Sequence, residues 1–218
     1  WGVSDNDVDG NRSTTRLTVS NGTVTVSLAG GATISAGTNG TSTLTLSGTQ
    51  AQINAALATV SYQGSLNFNG ADTLTVLSTD SNGVTDSDSV AITVNSVNDA
   101  PVNTVSGART VNEDTALTFT AGNTISVNDV DGNLSTTRLT VSNGTVTVSL
   151  AGGATISAGA NGSSSLTLSG TQAQINAALA SLSYQGNTNF NGGDTLTVLS
   201  TDASGATDSD AVAITVTS

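Results

Sequence analysis

The chain reads as an all-β protein, two tandem antiparallel Greek-key β-sandwiches with one short helix in each repeat. Three observations predict this. Apolar residues alternate with Thr and Ser over many short runs, as in Thr23, Val24, Thr25, Val26, Ser27 and Leu28; this is the period of a strand with one dry and one wet face. Residues 3–96 recur at 125–218 without a gap, since Asp131 minus Asp9 and Asp194 minus Asp72 both give 122. The copies differ at only about one position in six, the mark of a tandem array. Finally, the single proline, Pro101, stands between the copies, where its fixed φ and missing N–H stop a strand. The boundary is set there, with repeat 1 at 1–96, lacking its opening segment, and a complete repeat 2 at 97–218.

Taken in order, Leu17–Ser20 and Val24–Leu28 are expected to form a hairpin about Asn21 and Gly22, because Asn-Gly tolerates positive φ at both turn positions. The same hairpin is expected about Asn143 and Gly144. Strands follow at Ala32–Ile34 and Thr43–Leu46, with apolar residues on one face and Thr or Ser on the other. Thr49 and Gln52 have capping-box spacing, and Ile53 and Leu57 lie four apart, so a short helix starts here. Thr73–Leu77 and, after Asn82-Gly83, Ser89–Val94 complete the copy; Thr195–Leu199 and Ala211–Val216 repeat them. Asn98–Thr124 opens only the second copy, through Ala108–Asn112, the acidic Glu113-Asp114 and Leu117–Phe119. A β-solenoid is the lesser alternative, since a period of 122 is far longer than one coil.

Composition narrows the function. Aromatic residues make up 3% of the chain and apolar residues 36%, so each core is built from Val, Leu, Ile and Ala and is thin. The four basic residues, all Arg, face 16 acidic ones, for a formal charge of -12 with no His and no Cys. Nucleic acid is excluded as a partner for want of a basic footprint. With no His, Cys or Lys to act near neutral pH and no aromatic-lined cleft for a carboxylate pair, an enzyme is not expected. Neither a disulfide nor a Lys-Asn cross-link can staple the fold. No apolar run near 18 residues and no charged apolar leader occur, so neither membrane insertion nor a signal peptide is expected. The start at Trp1, Gly2 and Val3, in the middle of a repeat, is expected of a piece of a longer array.

The most suggestive stretch is Asn128-Asp129-Val130-Asp131-Gly132-Asn133, whose other copy is Asn6–Asn11. Carboxylates on alternate residues, followed by a glycine that permits a sharp turn, let oxygens converge on a hard cation at about 2.3–2.6 Å. The plain alternative is an Asx turn, each Asp bonding only nearby backbone N–H groups.

At the linker the sequence resembles a known family. Val97-Asn98-Asp99-Ala100-Pro101 resembles the Asn-Asp-Asn-Ala-Pro calcium linker of cadherins, and the whole chain resembles the bacterial cadherin-like tandem repeats of large secreted surface proteins and adhesins. The resemblance implies cadherin-like or immunoglobulin-like sandwiches with Ca2+ between successive domains. It implies a junction set of Asn98, Asp99, Ala100 through its carbonyl, Asp129, Asp131 and Asp202, with Asp72 from the preceding repeat. Asp7, Asp9 and Asp80 would serve a junction on the N-terminal side, and Glu113, Asp114 and Asp194 one on the C-terminal side. The pattern departs at Ser96, where a further Asp is expected, and repeat 1 lacks a partner of Glu113, so fewer ions are expected than at a full cadherin junction.

The implied function is that of an extracellular, calcium-stiffened spacer in a bacterial surface adhesin, surface filament or biofilm, whose partners are neighbouring repeats or subunits. Polysaccharide binding is one alternative, against which stands the scarcity of aromatic platforms; a strand-exchanged extracellular fibre is another. The Thr-x-Thr pairs raise an ice-binding idea, but Thr on the wet face of a strand is ordinary β chemistry.

Overall fold

The computed structural model describes residues 12–218. The chain divides into two compact units, Trp1–Val97 and Asn98–Ser218. The loop Asn6–Asn11, with the proposed ligands Asp7 and Asp9, lies outside the described residues.

Unit 1 comprises β1 (Arg12–Thr18), β2 (Gly22–Thr25), β3 (Thr33–Gly37), β4 (Thr43–Ser47), α1 (Gln50–Leu57), β5 (Ser61–Gly64), β6 (Gly70–Asp80) and β7 (Thr85–Val94). A five-stranded sheet runs β3-β4-β1-β6-β7, and β2 pairs with β5 in a second sheet. Unit 2 opens with β8 (Val102–Thr104), β9 (Arg109–Asn112), β10 (Leu117–Thr118) and β11 (Ser126–Asn128). It continues with β12 (Leu134–Thr140), β13 (Gly144–Thr147), β14 (Thr155–Gly159), β15 (Ser165–Ser169), α2 (Gln172–Leu179), β16 (Ser183–Gly186), β17 (Gly192–Asp202) and β18 (Thr207–Thr217). Its large sheet runs β14-β15-β12-β17-β18-β9, its second sheet β10-β16-β13, and β8 pairs with β11. All pairings are antiparallel except that of β9 with β18. The architecture is therefore all-β, with two antiparallel sandwiches and one short α-helix in each.

The helices form where the capping box lies. Thr49 and Thr171 accept from the backbone N–H of Gln52 and Gln174, whose side chains return the bond; Ile53, Leu57, Ile175 and Leu179 are buried. Among the described residues no helix is long and apolar enough to cross a membrane, which does not bear on membrane β-barrels.

The expected Asn-Gly hairpin is not formed. Strand β1 pairs with β4 and β6, whereas β2 pairs with β5, so Asn21 and Gly22 carry the chain from one sheet to the other. Neither residue is among those with positive φ. Glycine is needed here for close approach instead: a Cβ on Gly22 would lie 2.4 Å from the Gln63 carbonyl oxygen and 2.5 Å from the Tyr62 ring. Gly144 stands in the same way against Gln185 and Tyr184. The partner strands, β5 and β16, escape the sequence pattern because Ser, Gln and Gly flank a single Tyr in each.

Each unit has its own core. Among the described residues unit 1 buries thirteen hydrophobic residues in one cluster and unit 2 twenty-one. Part of the difference comes from the opening segment of unit 2, which supplies Phe119, fully buried. Unit 1 is accordingly expected to be the less stable of the two.

Candidate metal centre

Three loops of unit 2 come together around Asn98. The linker Asn98–Asp99 enters beside the β11–β12 loop, Asp129–Asn133, and the β17–β18 turn after Asp202. The Asn98 amide donates to Asp202 Oδ2 at 2.7 Å and accepts at Oδ1 from Asn133 Nδ2 and Ser204 Oγ, both at 2.8 Å. The Asp99 N–H donates to Asp131 Oδ2 at 2.7 Å. The Ala203 N–H reaches the Asn133 carbonyl at 2.9 Å. Helix α2 supports the loop from behind: Gln172 accepts from the Asp129 N–H at 2.8 Å and donates to Asn128 Oδ1 at 3.1 Å.

Within the loop the Asx turn and the cation-binding pattern coexist. Asp129 Oδ1 accepts the Asp131 N–H at 3.0 Å, and Gly132 turns at φ +67, a conformation that favours glycine. The other oxygen, Asp129 Oδ2, is buried without a hydrogen-bond partner, as is Asn133 Oδ1. Asp129 is 5% exposed and Asp202 3%. Both orphaned atoms are pure acceptors, so only a donor or a cation satisfies them, and leaving a buried acceptor unmet costs about 1–3 kcal/mol, more when it is charged. The chain has no Lys, and none of its four Arg lies in these segments. The donor set is all oxygen, the chemistry that a hard cation takes. Each of these two oxygens is of the kind that a hard cation takes. They do not make a full shell, for among the described residues no three acidic side chains converge as metal ligands.

Asp202 is held as a turn cap as well. Its Oδ1 accepts the N–H groups of Ser204 at 2.9 Å and Ala206 at 2.7 Å. The Asn98 amide, with these N–H groups, holds its carboxyl below the usual carboxylate range, against the opposing effect of burial. In unit 1, Asp80 caps its own turn in the same way, accepting from Asn82 N at 2.8 Å and Val84 N at 2.7 Å.

Asp72 and Asp194 have another task. Asp72 accepts from the N–H groups of Ser20, Asn21 and Thr73 and from the Tyr62 hydroxyl, at 2.8–3.1 Å. Asp194 does the same with Ser142, Asn143, Thr195 and Tyr184. A carboxylate has about four acceptor sites, and all are taken, so neither residue offers oxygen to a metal. They pin the crossing of the chain between sheets. Desolvation would raise the Asp72 pKa, but the three backbone donors and Tyr62 together hold it below the usual range. Burial, reinforced by the neighbouring carboxylates, pushes the Tyr62 and Tyr184 hydroxyls up.

Glu113 and Asp114 make their contacts with other segments of unit 2. The Glu113 N–H bonds to Thr217, and Asp114, at φ +58, accepts from Asn189 N at 3.2 Å. Ala100 precedes the buried Pro101. Sequence reasoning missed Asn133, although it ends the acidic run and recurs as Asn11, and missed Gln172 and Ser204, which reach the loop from distant segments with no local signal.

Two antiparallel sandwiches, each with one short helix, define an all-β protein of two sandwich units. A family model, the Protein GAMETE EXPRESSED 2 domain, matches residues 11–89 and 119–211; the chain belongs to this family. No curated protein matches it. Among solved structures the chain is similar to the fibronectin(III)-like modules of Clostridium thermocellum CbhA, at 16% identity and TM-score 0.31 over 98% of this chain and 82% of that one. It is similar to protocadherin gammaB7 EC3-6 at 14% identity and TM-score 0.35, over 91% of this chain and 40% of that one. The Yersinia pseudotuberculosis adhesin InvE gives 16% identity and TM-score 0.27, over 95% and 51%. At such TM-scores these likenesses carry no functional argument.

Proposed function

We propose that the chain is an extracellular structural and adhesive repeat module, a calcium-stiffened spacer of a bacterial surface adhesin or filament, with no catalytic role. The observation that carries the metal part is that Asp129 Oδ2 and Asn133 Oδ1, two oxygens of one acidic loop, are both buried without a partner, in a segment with no Lys or Arg. A cation there would draw Asp129, Asn133 and Asp131 onto one centre and tie the linker to unit 2. Polysaccharide binding is the weaker reading, because Phe119 and Tyr184, two of only six aromatic residues, are fully buried.

Calcium is expected to raise the thermal transition of unit 2. At about 100 times its dissociation constant a ligand adds roughly 2.7 kcal/mol, which shifts the midpoint of a domain this size by about 5 °C or more. Asp129→Asn, which removes the buried charge and keeps the shape, should abolish the response while still folding. Calorimetry with calcium and with chelator decides it, and an unchanged midpoint in the parent would leave the loop as an Asx turn alone.

A further inference from the structure

An Asn followed by Gly occurs seven times in the chain, beginning at 21, 39, 69, 82, 143, 161 and 191. The pair has a chemistry of its own besides its turn preference. Glycine puts no side chain in the way of its own nitrogen, so that nitrogen can attack the carboxamide carbon of the preceding Asn, and asparagine is accordingly one of the heat-labile residues. The attack needs a carboxamide able to turn and a glycine N–H released from its partner. The fold grants these two freedoms unequally.

Asn39 and Asn161 are locked. Asn39 Oδ1 accepts the Val26 N–H at 2.9 Å, its Nδ2 donates to the Val26 carbonyl at 2.8 Å, and the Gly40 N–H donates to the Val24 carbonyl at 2.9 Å. Asn161 and Gly162 repeat this with Val148 and Val146. Where the chain crosses between sheets, Asn21 and Asn143 donate their N–H groups to Asp72 and Asp194, and Gly22 and Gly144 are buried. Asn69 and Asn191 precede Gly70 and Gly192, which are held in the sheet opposite Val94 and Val216.

Asn82 is different. It stands with Gly83 in the turn between β6 and β7, where Ser81, Asn82, Gly83 and Val84 are all exposed. The turn is held through the backbone, Asp80 Oδ1 accepting from the N–H groups of Asn82 at 2.8 Å and Val84 at 2.7 Å. The Asn82 carboxamide itself makes no hydrogen bond among the described residues, and the Gly83 N–H has a longer one, 3.2 Å, to the Asp80 carbonyl. Nothing lies within 4 Å of where a Gly83 Cβ would be. The counterpart of Asn82 in unit 2 is Ser204, whose hydroxyl donates to Asn98 Oδ1 at 2.8 Å. The turn that holds the linker thus carries no carboxamide at this position.

We propose that Asn82 is a site of spontaneous modification, converting to aspartate and isoaspartate through a cyclic imide. The Gly83 nitrogen gives its proton to solvent hydroxide and bonds to Asn82 Cγ, whose bond to the amide nitrogen breaks and releases ammonia. Water then opens the ring at either carbonyl. One opening gives aspartate; the other leaves the chain running through Cγ, as isoaspartate. Both products put a new carboxylate beside Asp80, and isoaspartate lengthens the turn by a backbone carbon, so the bonds from Asn82 and Val84 to Asp80 Oδ1 lose their fit. The modification therefore loosens the β6–β7 hairpin of unit 1 and leaves unit 2 as it was.

Ageing the 218-residue chain in warm, mildly alkaline buffer, with its peptides mapped by mass spectrometry, tests this. Conversion at Asn82 is expected to run about tenfold or more faster than at Asn39 and Asn161, where reaction waits on local opening. Isoaspartate should be among the products, since direct hydrolysis of the side chain yields aspartate alone. The thermal transition of unit 1 should fall as the modified fraction grows, while that of unit 2 stays. Asn82→Ser, which copies the residue of unit 2 at an exposed turn position, should end the change there and hold the unit 1 transition steady over the same period. Conversion at Asn82 no faster than at Asn39, or aspartate without isoaspartate, would overturn the site and its route. A unit 1 transition that falls equally in the Asn82→Ser protein would overturn the link from this residue to the hairpin.

Discussion

Replacing Phe119 by alanine in the protein is expected to destabilise unit 2 by about 3–5 kcal/mol, the range for deleting a fully buried aromatic side chain. Phe119 is 0% exposed and packs in the same cluster as Leu182, Tyr184 and Val216. Because its backbone N–H also bonds to Leu182, the truncation loosens the opening segment of unit 2 as well as the core beneath it. The loss should fall on one transition. In calorimetry the upper endotherm is expected to move down towards that of unit 1, while the lower one stays, since the two units have separate cores. If both endotherms shift together, the units do not unfold independently and the account of separate cores fails.

Asp194→Ala is the second large effect. It strips the acceptor from three backbone N–H groups and the Tyr184 hydroxyl at once, and with Tyr184 0% exposed water does not readily replace it. Several buried donors left unmet imply a loss of at least about 3 kcal/mol. Asp72→Ala should cost less, because Tyr62 is half-buried and remains hydrated in part. Acid gives a second reading of the same bond set. The folded-state pKa of Asp72 is lowered, so its contribution is fully present above the unfolded value of about 3.9 and is lost as pH falls through the folded value. Unfolding followed by circular dichroism from neutral pH to strong acid should show unit 1 of the parent losing stability below that unfolded value. A flat profile in that range, or an Asp194→Ala protein as stable as the parent, would show that these carboxylates do not hold the crossing.

How far the sequence announces this molecule depends on whether a signal is local. The helices were legible because Thr49, Gln52, Ile53 and Leu57 act on one another within a few residues, and the alternating runs of β4, β6 and β7 were legible for the same reason. The crossing at Gly22 was not, because the glycine is there for Tyr62 and Gln63, forty residues away, and not for its own φ. Asp72 illustrates the same point. On the sequence it is one more acidic residue in a turn, and only the fold brings Ser20, Asn21 and Tyr62 to it. In the candidate metal centre, Asp129 and Asp131 were marked by their spacing and Asn98 and Asp99 by the linker motif. The burial of Asp129 Oδ2 without a partner depends on how the loop is shielded and has no signature in the string of residues.

The parallel pairing of β9 with β18 gives unit 2 a mechanical character. The chain enters the unit ahead of β9 and leaves it after β18, and these two strands lie side by side in the same direction. Tension along the polypeptide therefore draws them past each other in opposite senses. The bonds across Arg109–Asn112 and Ile214–Thr217 stand across the pull and must give way together, instead of parting one after another as in a strand peeled from its end. Single-molecule extension would read this as one cooperative rupture of unit 2, whose force reports the unfolding barrier and not the equilibrium stability. The opening segment of unit 2 is in this sense also a mechanical clasp.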